Sequence, residues 1–169
     1  RRHRPLMRYV VAGAAGFIGS HLCDRLLEQG HEVVGVDSLV TGSRSNLDGA
    51  LAQANFSFVE HDIRSPLQVD GAVDRVLNLA SPASPIDFDR IPVHILETGS
   101  IGTQHLLELA LAKNARFFLA STSEAYGDPE VHPQPETYLG NVSSTGPRSC
   151  YDEAKRFAEA ITMAYHRAH

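Results

Sequence analysis

The stretch RYVVAGAAGFIGSHLCDRLLEQGHEVVGVD, residues 8–37, decides the fold. Its apolar run over residues 8–13 predicts a buried strand that ends in glycine. Apolar residues at helical spacing follow over residues 17–30, and Gly30 supplies a helix stop. A second apolar run over residues 31–37 predicts another strand, which ends in an acid. The order strand, helix, strand is typical of a parallel βαβ unit.

The same alternation continues through the rest of the chain. Three further apolar runs predict strands, at residues 56–62, 73–80 and 115–121. Between them we expect a weakly helical stretch up to about residue 54, a loop at residues 82–85, a long helix over residues 92–113, an irregular loop over residues 127–147 and a final helix from residue 149. Strands that are apolar along their whole length and alternate with helices predict an α/β fold: a doubly wound parallel sheet of the Rossmann type, with the first strand in the centre.

Composition narrows the class of protein. The length of 169 residues fits one domain, and the net charge of -5 disfavours a nucleic-acid or anionic-membrane surface. No apolar run approaches the roughly 20 residues that span a bilayer. Cys23 and Cys150 form neither a disulfide framework nor a zinc quartet, and His166 and His169 fit a solvated helix face better than a metal site. We therefore expect a cytoplasmic protein without a metal, in which a flexible extension, residues 1–7, precedes the predicted Rossmann domain, residues 8–169.

Three glycines follow the first strand and predict a dinucleotide site. Gly13 would permit the tight turn, Gly16 would let the backbone approach a pyrophosphate, and Gly19 would let the helix pack close to the sheet. The helix N-terminus then offers free N–H groups and a partial positive charge to the phosphates. Asp37 ends the next strand at the distance along the chain that this motif requires.

Asp37 also indicates which dinucleotide is bound. A carboxylate accepts hydrogen bonds from the adenosine ribose hydroxyls but repels a 2′-phosphate, so NAD is favoured over NADP. Arg44 is a candidate partner for that phosphate and leaves NADP open. Asp62, at the end of the third strand, would lie near the adenine or serve only as a turn acid. The glycine spacing GxxGxxG is typical of short-chain dehydrogenases/reductases.

A second site is predicted on the final helix. Tyr151 and Lys155 are four residues apart and share a helix face. A free tyrosine has a pKa of about 10, so work as a base near neutral pH requires a shift of roughly three units, about 4 kcal/mol. A neighbouring ammonium and the positive nicotinamide would both favour the phenolate. The lysine can also hydrogen-bond the nicotinamide ribose.

The fifth strand ends in polar residues. Ligands of doubly wound sheets bind beyond the carboxyl ends of the strands, so Thr122, Ser123 and Glu124 should project into the same crevice. A hydroxyl there could hydrogen-bond the sugar oxygen beside Tyr151, and the carboxylate could orient a substrate or move a proton. For Ser123 we favour local turn chemistry.

The strings GAAGFIGSHLCDRLLEQGHEVVGVD (13–37), NLASPASP (78–85), LASTSEAYGDPEVHPQPE (119–136) and GPRSCYDEAKR (146–156) resemble the extended short-chain dehydrogenase/reductase superfamily of nucleotide-sugar epimerases and dehydratases. Within it they are most similar to the UDP-glucuronate decarboxylases, or UDP-xylose synthases. The resemblance implies that bound NAD is regenerated while UDP-glucuronate becomes UDP-xylose and CO₂ through a 4-keto sugar. It also implies a homodimer built from the helices at residues 92–113 and 149–168.

The resemblance also implies roles for individual residues. Tyr151 would take the proton of the sugar 4-hydroxyl with Lys155, Thr122 and Glu124 beside it. Pro85, Thr122, Ser123 and Glu124 would contact the substrate. The positions that would contact NAD are Gly13, Gly16, Phe17, Ile18, Gly19, Asp37, Ser38, Thr41, Gly42, Asp62, Ile63, Leu79, Ala80, Ser81, Thr98, Ala120, Tyr151 and Lys155.

Several positions depart from the family pattern. Glu97 replaces a substrate-binding lysine, and a carboxylate there should repel a uronate or its diphosphate. His105 replaces a frequent Asn, Ser38 replaces the usual Asn, and SSTG (143–146) replaces NPIG. The family's second, substrate-binding lobe, which follows the Tyr/Lys helix, falls outside these 169 residues, so we expect the chain alone to be inactive.

Two other functions stay open at this point. One is a dTDP-glucose 4,6-dehydratase or UDP-sugar 4-epimerase. A dehydratase would need an acidic pair after Thr122, and Ser123 stands in its first position. The other is a non-enzymatic NAD-binding module.

Overall fold

A computed structural model describes residues 6–169 and contains one parallel sheet. Its strands are Arg8–Ala12 (β1), Glu32–Asp37 (β2), Phe56–Glu60 (β3), Arg75–Asn78 (β4) and Arg116–Leu119 (β5). Every adjacent pair is parallel, and the spatial order is β3-β2-β1-β4-β5. This arrangement confirms the predicted doubly wound sheet with the first strand in the centre.

Helices cover the sheet. They are Phe17–Glu28 (α1), Asp48–Leu51 (α2), Pro85–Arg90 (α3), Pro92–Glu97 (α4), Thr103–Ala112 (α5) and Ser149–Ala168 (α6). Two short 3₁₀ turns, Arg44–Leu47 and Ser123–Tyr126, and one π-helical turn, Thr98–Gly102, complete the regular structure of the described residues.

The sheet has an apolar core on each face. Val10 and Ala12 point to one face, where they pack in a buried cluster with Leu106 of α5. Val11 points to the other face and packs with Cys23 of α1. Successive side chains of a strand point to opposite faces, so a strand that is covered on both sides must be apolar at every position. This geometry explains why the strands form unbroken apolar runs.

The predicted helix at residues 92–113 is not one regular helix. It is divided into α4, the π-helical turn and α5, and α3 begins at Pro85, the last residue of the predicted loop. In the irregular turn the hydroxyl of Thr98 donates to the carbonyl of His94 at 2.7 Å, and that of Ser100 donates to the carbonyl of Leu96 at 2.5 Å. Such side-chain bonds compete with the regular backbone ladder and loosen it.

Residues 1–5, most of the predicted extension, lie outside the described residues. Met7 is held by β2: its carbonyl accepts the Glu32 N–H at 3.0 Å and its N–H donates to His31 Nδ1 at 3.2 Å. Cys23 and Cys150 are both buried free thiols. Among residues 6–169, no helix combines the length and apolarity needed to cross a bilayer, and no cluster of three His, Cys, Asp or Glu side chains is arranged to hold a metal.

Helix α6 packs across α4, the π-helical turn and α5. The close point of this packing is Gly99, where a Cβ would lie only 2.6 Å from the Cβ of Ala154 and 3.2 Å from its carbonyl carbon and oxygen. Ala154 stands directly before Lys155, so the absence of a side chain at Gly99 determines how near the predicted Tyr/Lys helix comes to α4, the π-helical turn and α5.

Replacing Gly99 with alanine should therefore lower the free energy of unfolding by about 1–3 kcal/mol, because the added methyl must push α6 away. Urea unfolding monitored by circular dichroism measures the change. Gly49→Ala is the matched control. Gly49 is also helical, its added methyl would be 3.7 Å from the nearest atom, and alanine there should be neutral or stabilise by up to about 1 kcal/mol. Equal stability of the two variants would contradict this packing.

Candidate active site

The glycine turn between β1 and α1 forms the base of a cleft. Gly13 has a φ of +81°, and an added Cβ there would lie 2.8 Å from the backbone of Leu79 and Ala80. A Cβ on Gly19 would lie 1.9 Å from the carbonyl oxygen of Gly13. Only glycine therefore lets α1 start directly above the turn. A Cβ on Gly16 would also lie close to that oxygen, at 3.3 Å, which is a tight contact.

Asp37 connects the end of β2 to this turn. Its Oδ2 accepts the N–H of Ala15 at 2.9 Å, and its Oδ1 accepts the N–H of Leu39 at 2.8 Å. Each oxygen keeps a further lone pair for a ligand hydroxyl. The carboxylate therefore shapes the turn as well as lining the cleft, a double role that the sequence did not reveal.

The cleft itself runs along the carboxyl ends of the central strands. Twelve of the positions predicted to bind NAD line it: Gly13, Gly16, Asp37, Ser38, Thr41, Gly42, Asp62, Ile63, Leu79, Ala80, Ser81 and Thr98. The lining also includes residues that were not predicted: Val36, Val40, His61, Pro82 and His94. These five carry no motif, and only their neighbourhood to predicted positions could have indicated them.

Buried polar groups fix the cleft wall behind β4. Asn78 Nδ2 donates to Thr103 Oγ1 at 3.1 Å, and Asn78 Oδ1 accepts the N–H of Ala80 at 3.2 Å. On the neighbouring wall His105 Nδ1 lies 2.9 Å from the carbonyl oxygen of Ile63, so this nitrogen donates. His105 thus supplies a hydrogen-bond donor in place of the asparagine of the family pattern.

The remaining predicted cofactor residues lie outside that lining. Phe17 and Ile18 are exposed at the start of α1, and Gly19 is buried against Gly13. Ala120 directly follows β5, and its carbonyl oxygen accepts a hydrogen bond from Lys155 Nζ at 2.8 Å. The latter contact joins the predicted Tyr/Lys helix to the edge of the sheet where β5 ends.

Tyr151 and Lys155 are both buried on the first turns of α6. The Tyr151 ring stacks on Phe88 of α3, with ring centroids 5.3 Å apart and planes at 17°. The Lys155 Nζ lies 5.8 Å from the Tyr151 ring centroid. Burial lowers the pKa of Lys155 to about 8, an effect that the charge of Glu159 partly offsets. The ammonium is therefore mostly protonated at neutral pH but gives up its proton more readily than an exposed lysine.

The polar residues after β5 form a short turn. Thr122 caps the 3₁₀ turn, since its hydroxyl accepts the N–H of Glu124 at 3.2 Å, and Ser123 is an exposed residue of this turn. Glu124 Oε2 accepts from Arg148 Nη2 at 2.5 Å. Arg148, next to the start of α6, has no counterpart among the predicted site residues. The guanidinium also lies over the Phe88 ring at 5.3 Å.

Two other predicted residues lie in different surroundings. Pro85 is an exposed first residue of α3. Arg44, which kept NADP open, lies with its guanidinium 5.1 Å over the ring of Phe58 and is not part of the cleft lining.

Comparisons with known proteins match this architecture. The family model of GDP-mannose 4,6 dehydratase matches residues 10–169. UDP-glucuronic acid decarboxylase 3 of Arabidopsis thaliana is 50% identical over 98% of this chain, and UDP-glucuronic acid decarboxylase 1 of Xenopus tropicalis is 49% identical over 94%. The chain spans 48% and 37% of those two proteins, which is less than half of their length.

Solved structures agree with the fold. A dTDP-glucose 4,6-dehydratase from Streptomyces venezuelae, with NAD bound, superposes with a TM-score of 0.81 at 30% identity, over 95% of this chain and 52% of that one. A UDP-glucose 4-epimerase from Thermotoga maritima, with UDP-glucose, gives 0.79 at 32% identity over the same shares. With the family model matching nearly the whole length, the chain belongs to the GDP-mannose 4,6-dehydratase family of the extended short-chain dehydrogenase/reductase superfamily.

Proposed function

We propose that this chain is the dinucleotide-binding part of an NAD-dependent UDP-glucuronate decarboxylase. The observation that carries the proposal is the position of Tyr151 and Lys155. They are buried at the start of α6, and Lys155 is tied to the backbone just after β5, beside Thr122 and Glu124. This is the acid–base group that oxidation of a sugar hydroxyl requires. The similarity to UDP-glucuronic acid decarboxylases supports the choice of substrate.

The residues of the cleft fit NAD. Gly16 precedes α1 and lines the cleft without a side chain, and the unpaired N–H groups at the start of this helix can receive a pyrophosphate. Asp37 retains free lone pairs for ribose hydroxyls, and its charge disfavours a 2′-phosphate. Arg44 is not part of the cleft lining, where it would be needed to accept that phosphate. When bound, NAD would accept a hydride from the sugar and later return it.

The side chains of this chain would handle the proton. Tyr151 accepts the proton of the sugar 4-hydroxyl, and the positive charge of Lys155 nearby stabilises the ionised phenol. Thr122 hydrogen-bonds the same sugar oxygen. The 4-keto sugar carries its carboxylate β to the ketone, so it loses CO₂, and Glu124 supplies a second proton-transfer group. Arg148 holds Glu124 in place by their 2.5 Å ion pair.

A second candidate is a nucleotide-sugar epimerase or dehydratase, which the structural likeness favours. Exposed Ser123 stands between Thr122 and Glu124, in the first position of the acidic pair that a dehydratase would need, and this argues against the dehydratase. A non-enzymatic NAD-binding module uses the same cleft but requires no turnover. The cytoplasmic location stays a prediction.

We also propose that the protein forms a homodimer through α4, α5 and α6. Several large apolar side chains are exposed on these helices: Val93, Leu96, Leu111, Phe157 and Met163. Exposed apolar patches of this kind mark protein interfaces.

Sedimentation velocity of the protein expressed from its complete gene should show a dimer. Phe157→Glu should shift the equilibrium to the monomer, because it places a charge in an apolar interface. Leu6→Glu serves as the control, since Leu6 is exposed and lies near Gly30 and Glu32 rather than on these helices. A wild-type monomer would contradict the proposed assembly.

The same protein incubated with UDP-glucuronate should release CO₂ and form UDP-xylose without net consumption of NAD. Tyr151→Phe should lower the rate by about 10²–10⁴-fold, since it removes the proton acceptor while keeping the ring that stacks on Phe88. UDP-glucose is the control substrate. Turnover of that neutral sugar nucleotide, without CO₂ from UDP-glucuronate, would favour the epimerase and refute the decarboxylase. Turnover of neither would leave the NAD-binding module.

Lys155 gives a prediction for stability against pH. Burial lowers the pKa of Lys155 to about 8 from an ordinary value of 10.5. Between those two values the unfolded chain holds the proton that the folded chain has lost, so stability from this group rises with pH. Relative to Lys155→Met, the wild type should gain about 2 kcal/mol of unfolding free energy from pH 7 to about pH 9.5. Urea unfolding at both pH values tests this, and a gap that stays constant would show that the lysine is not buried as described.

A further inference from the structure

Arg64 connects Asp62, which lines the cleft, to Glu97, which lies next to the lining. Its Nε donates to Asp62 Oδ2 at 2.9 Å, and its Nη2 lies 2.8 Å from the same oxygen. Its Nη1 donates to Glu97 Oε2 at 2.7 Å. The Arg64 N–H also donates to Asp62 Oδ1 at 3.0 Å. One guanidinium therefore uses three N–H groups to join Asp62 to Glu97, a residue that lies 33 positions from Arg64 in sequence.

Each end of this connection belongs to a wall of the cleft. Asp62 and Ile63, which follow β3, line one side. Glu97 is the last residue of α4, and His94 and Thr98, on either side of it along the helix, line the other. The contact between His105 of α5 and the Ile63 carbonyl gives the segment after β3 a second tie to the helices that follow β4.

The charges in this region explain why the connection matters. A dinucleotide brings a negatively charged pyrophosphate to a cleft that already has Asp37 and Asp62 in its lining and Glu97 next to it. Without Arg64, both Asp62 and Glu97 would be unpaired carboxylates. Arg64 makes the net charge of this group of side chains one unit less negative. It also binds one oxygen of each carboxylate.

We propose that Arg64 is a positioning residue for dinucleotide binding, an inference that rests on the proposed function. Arg64 fixes Asp62 and neutralises Glu97, so that the cleft accepts an anionic dinucleotide. The sequence predicted that Glu97 would repel an anionic ligand, and the ion pair with Arg64 weakens that repulsion. The carboxylate is committed to Arg64, so its effective charge toward the cleft is reduced.

The titration of the pair agrees with this geometry. Burial alone would raise the pKa of Asp62, but the hydrogen bonds and charge of Arg64 outweigh it and hold that pKa below its ordinary value. The pKa of Arg64 is raised in turn, by its hydrogen bonds to Asp62 and Glu97. About a third of each side chain is exposed, so solvent screens the pair and the expected effect is moderate.

The test is the affinity for NAD of the protein expressed from its complete gene, stripped of bound nucleotide and measured by isothermal titration calorimetry. Arg64→Met should weaken NAD binding about tenfold or more, because two carboxylates then face the ligand unpaired. Glu97→Gln should bind within about threefold of the wild type. The double variant, Arg64→Met with Glu97→Gln, should regain most of the NAD affinity that Arg64→Met loses, because it removes the carboxylate that Arg64 had neutralised.

Two controls separate this role from a general loss of structure. Arg25→Met removes an arginine from another exposed ion pair, with Glu28 at 2.9 Å, and should leave NAD binding unchanged. Raising the salt concentration should shrink the difference between Arg64→Met and wild type, since it screens the unpaired carboxylates. If Arg64 served only to stabilise the fold, the double variant would not regain NAD affinity, and the difference between Arg64→Met and wild type would not depend on salt.

Wild-type affinity in Arg64→Met would overturn the inference, and so would a double variant no better than Arg64→Met. Failure of the wild-type protein to bind NAD at all would overturn the proposed function, and this inference with it. Loss of CO₂ release with normal NAD binding would instead count against the proposed function only.

Discussion

The contact between Gly19 and the carbonyl of Gly13 is the constraint on which the site depends. A side chain at Gly19 would overlap that oxygen at 1.9 Å, so α1 can start above the first strand only if the position has no Cβ. The start of α1 therefore lies over the turn at the base of the cleft, where the unpaired N–H groups of the first helical turn are available to a ligand. This placement also brings the backbone of Ala15 within 2.9 Å of Asp37, which then ties β2 to the same turn. A cleft for a pyrophosphate and a ribose is therefore a consequence of how closely one helix approaches one strand.

The reactive side of the site depends on a second close approach, between Gly99 and Ala154. It lets α6 lie against the helices that cover the sheet, with Tyr151 stacked on Phe88 and Lys155 bonded to the backbone after β5. The burial that this packing imposes on Lys155 opposes stability at neutral pH, because a charged ammonium is taken out of water. Such a cost is typical of functional positions, where a group is kept for its chemistry rather than for folding.

Much of this could be predicted from sequence because it is local or periodic. The glycine spacing, the acid at the end of β2 and the four-residue interval from Tyr151 to Lys155 lie within single strand–helix units or single helices. Gly13, Gly16, Asp37 and Asp62 of the cleft were predicted in this way, whereas its other predicted residues came from the resemblance to the family. The apolar runs predicted a parallel sheet with the first strand in the centre. The ion pairs Arg64–Glu97 and Arg148–Glu124 could not be predicted, since they join residues 33 and 24 positions apart whose approach depends on packing. The π-helical turn at Thr98–Gly102 was missed because its residues continue the helical pattern, while side-chain hydroxyls loosen the backbone ladder.

The glycine turn and the Tyr151–Lys155 pair should form one site, and a crystal structure of the complex with NAD tests this most directly. The pyrophosphate should lie over the glycine turn at the start of α1, the adenosine ribose should hydrogen-bond Asp37, and the nicotinamide should face Tyr151 and Lys155. A dinucleotide bound elsewhere, or one whose nicotinamide points away from Tyr151, would contradict the account.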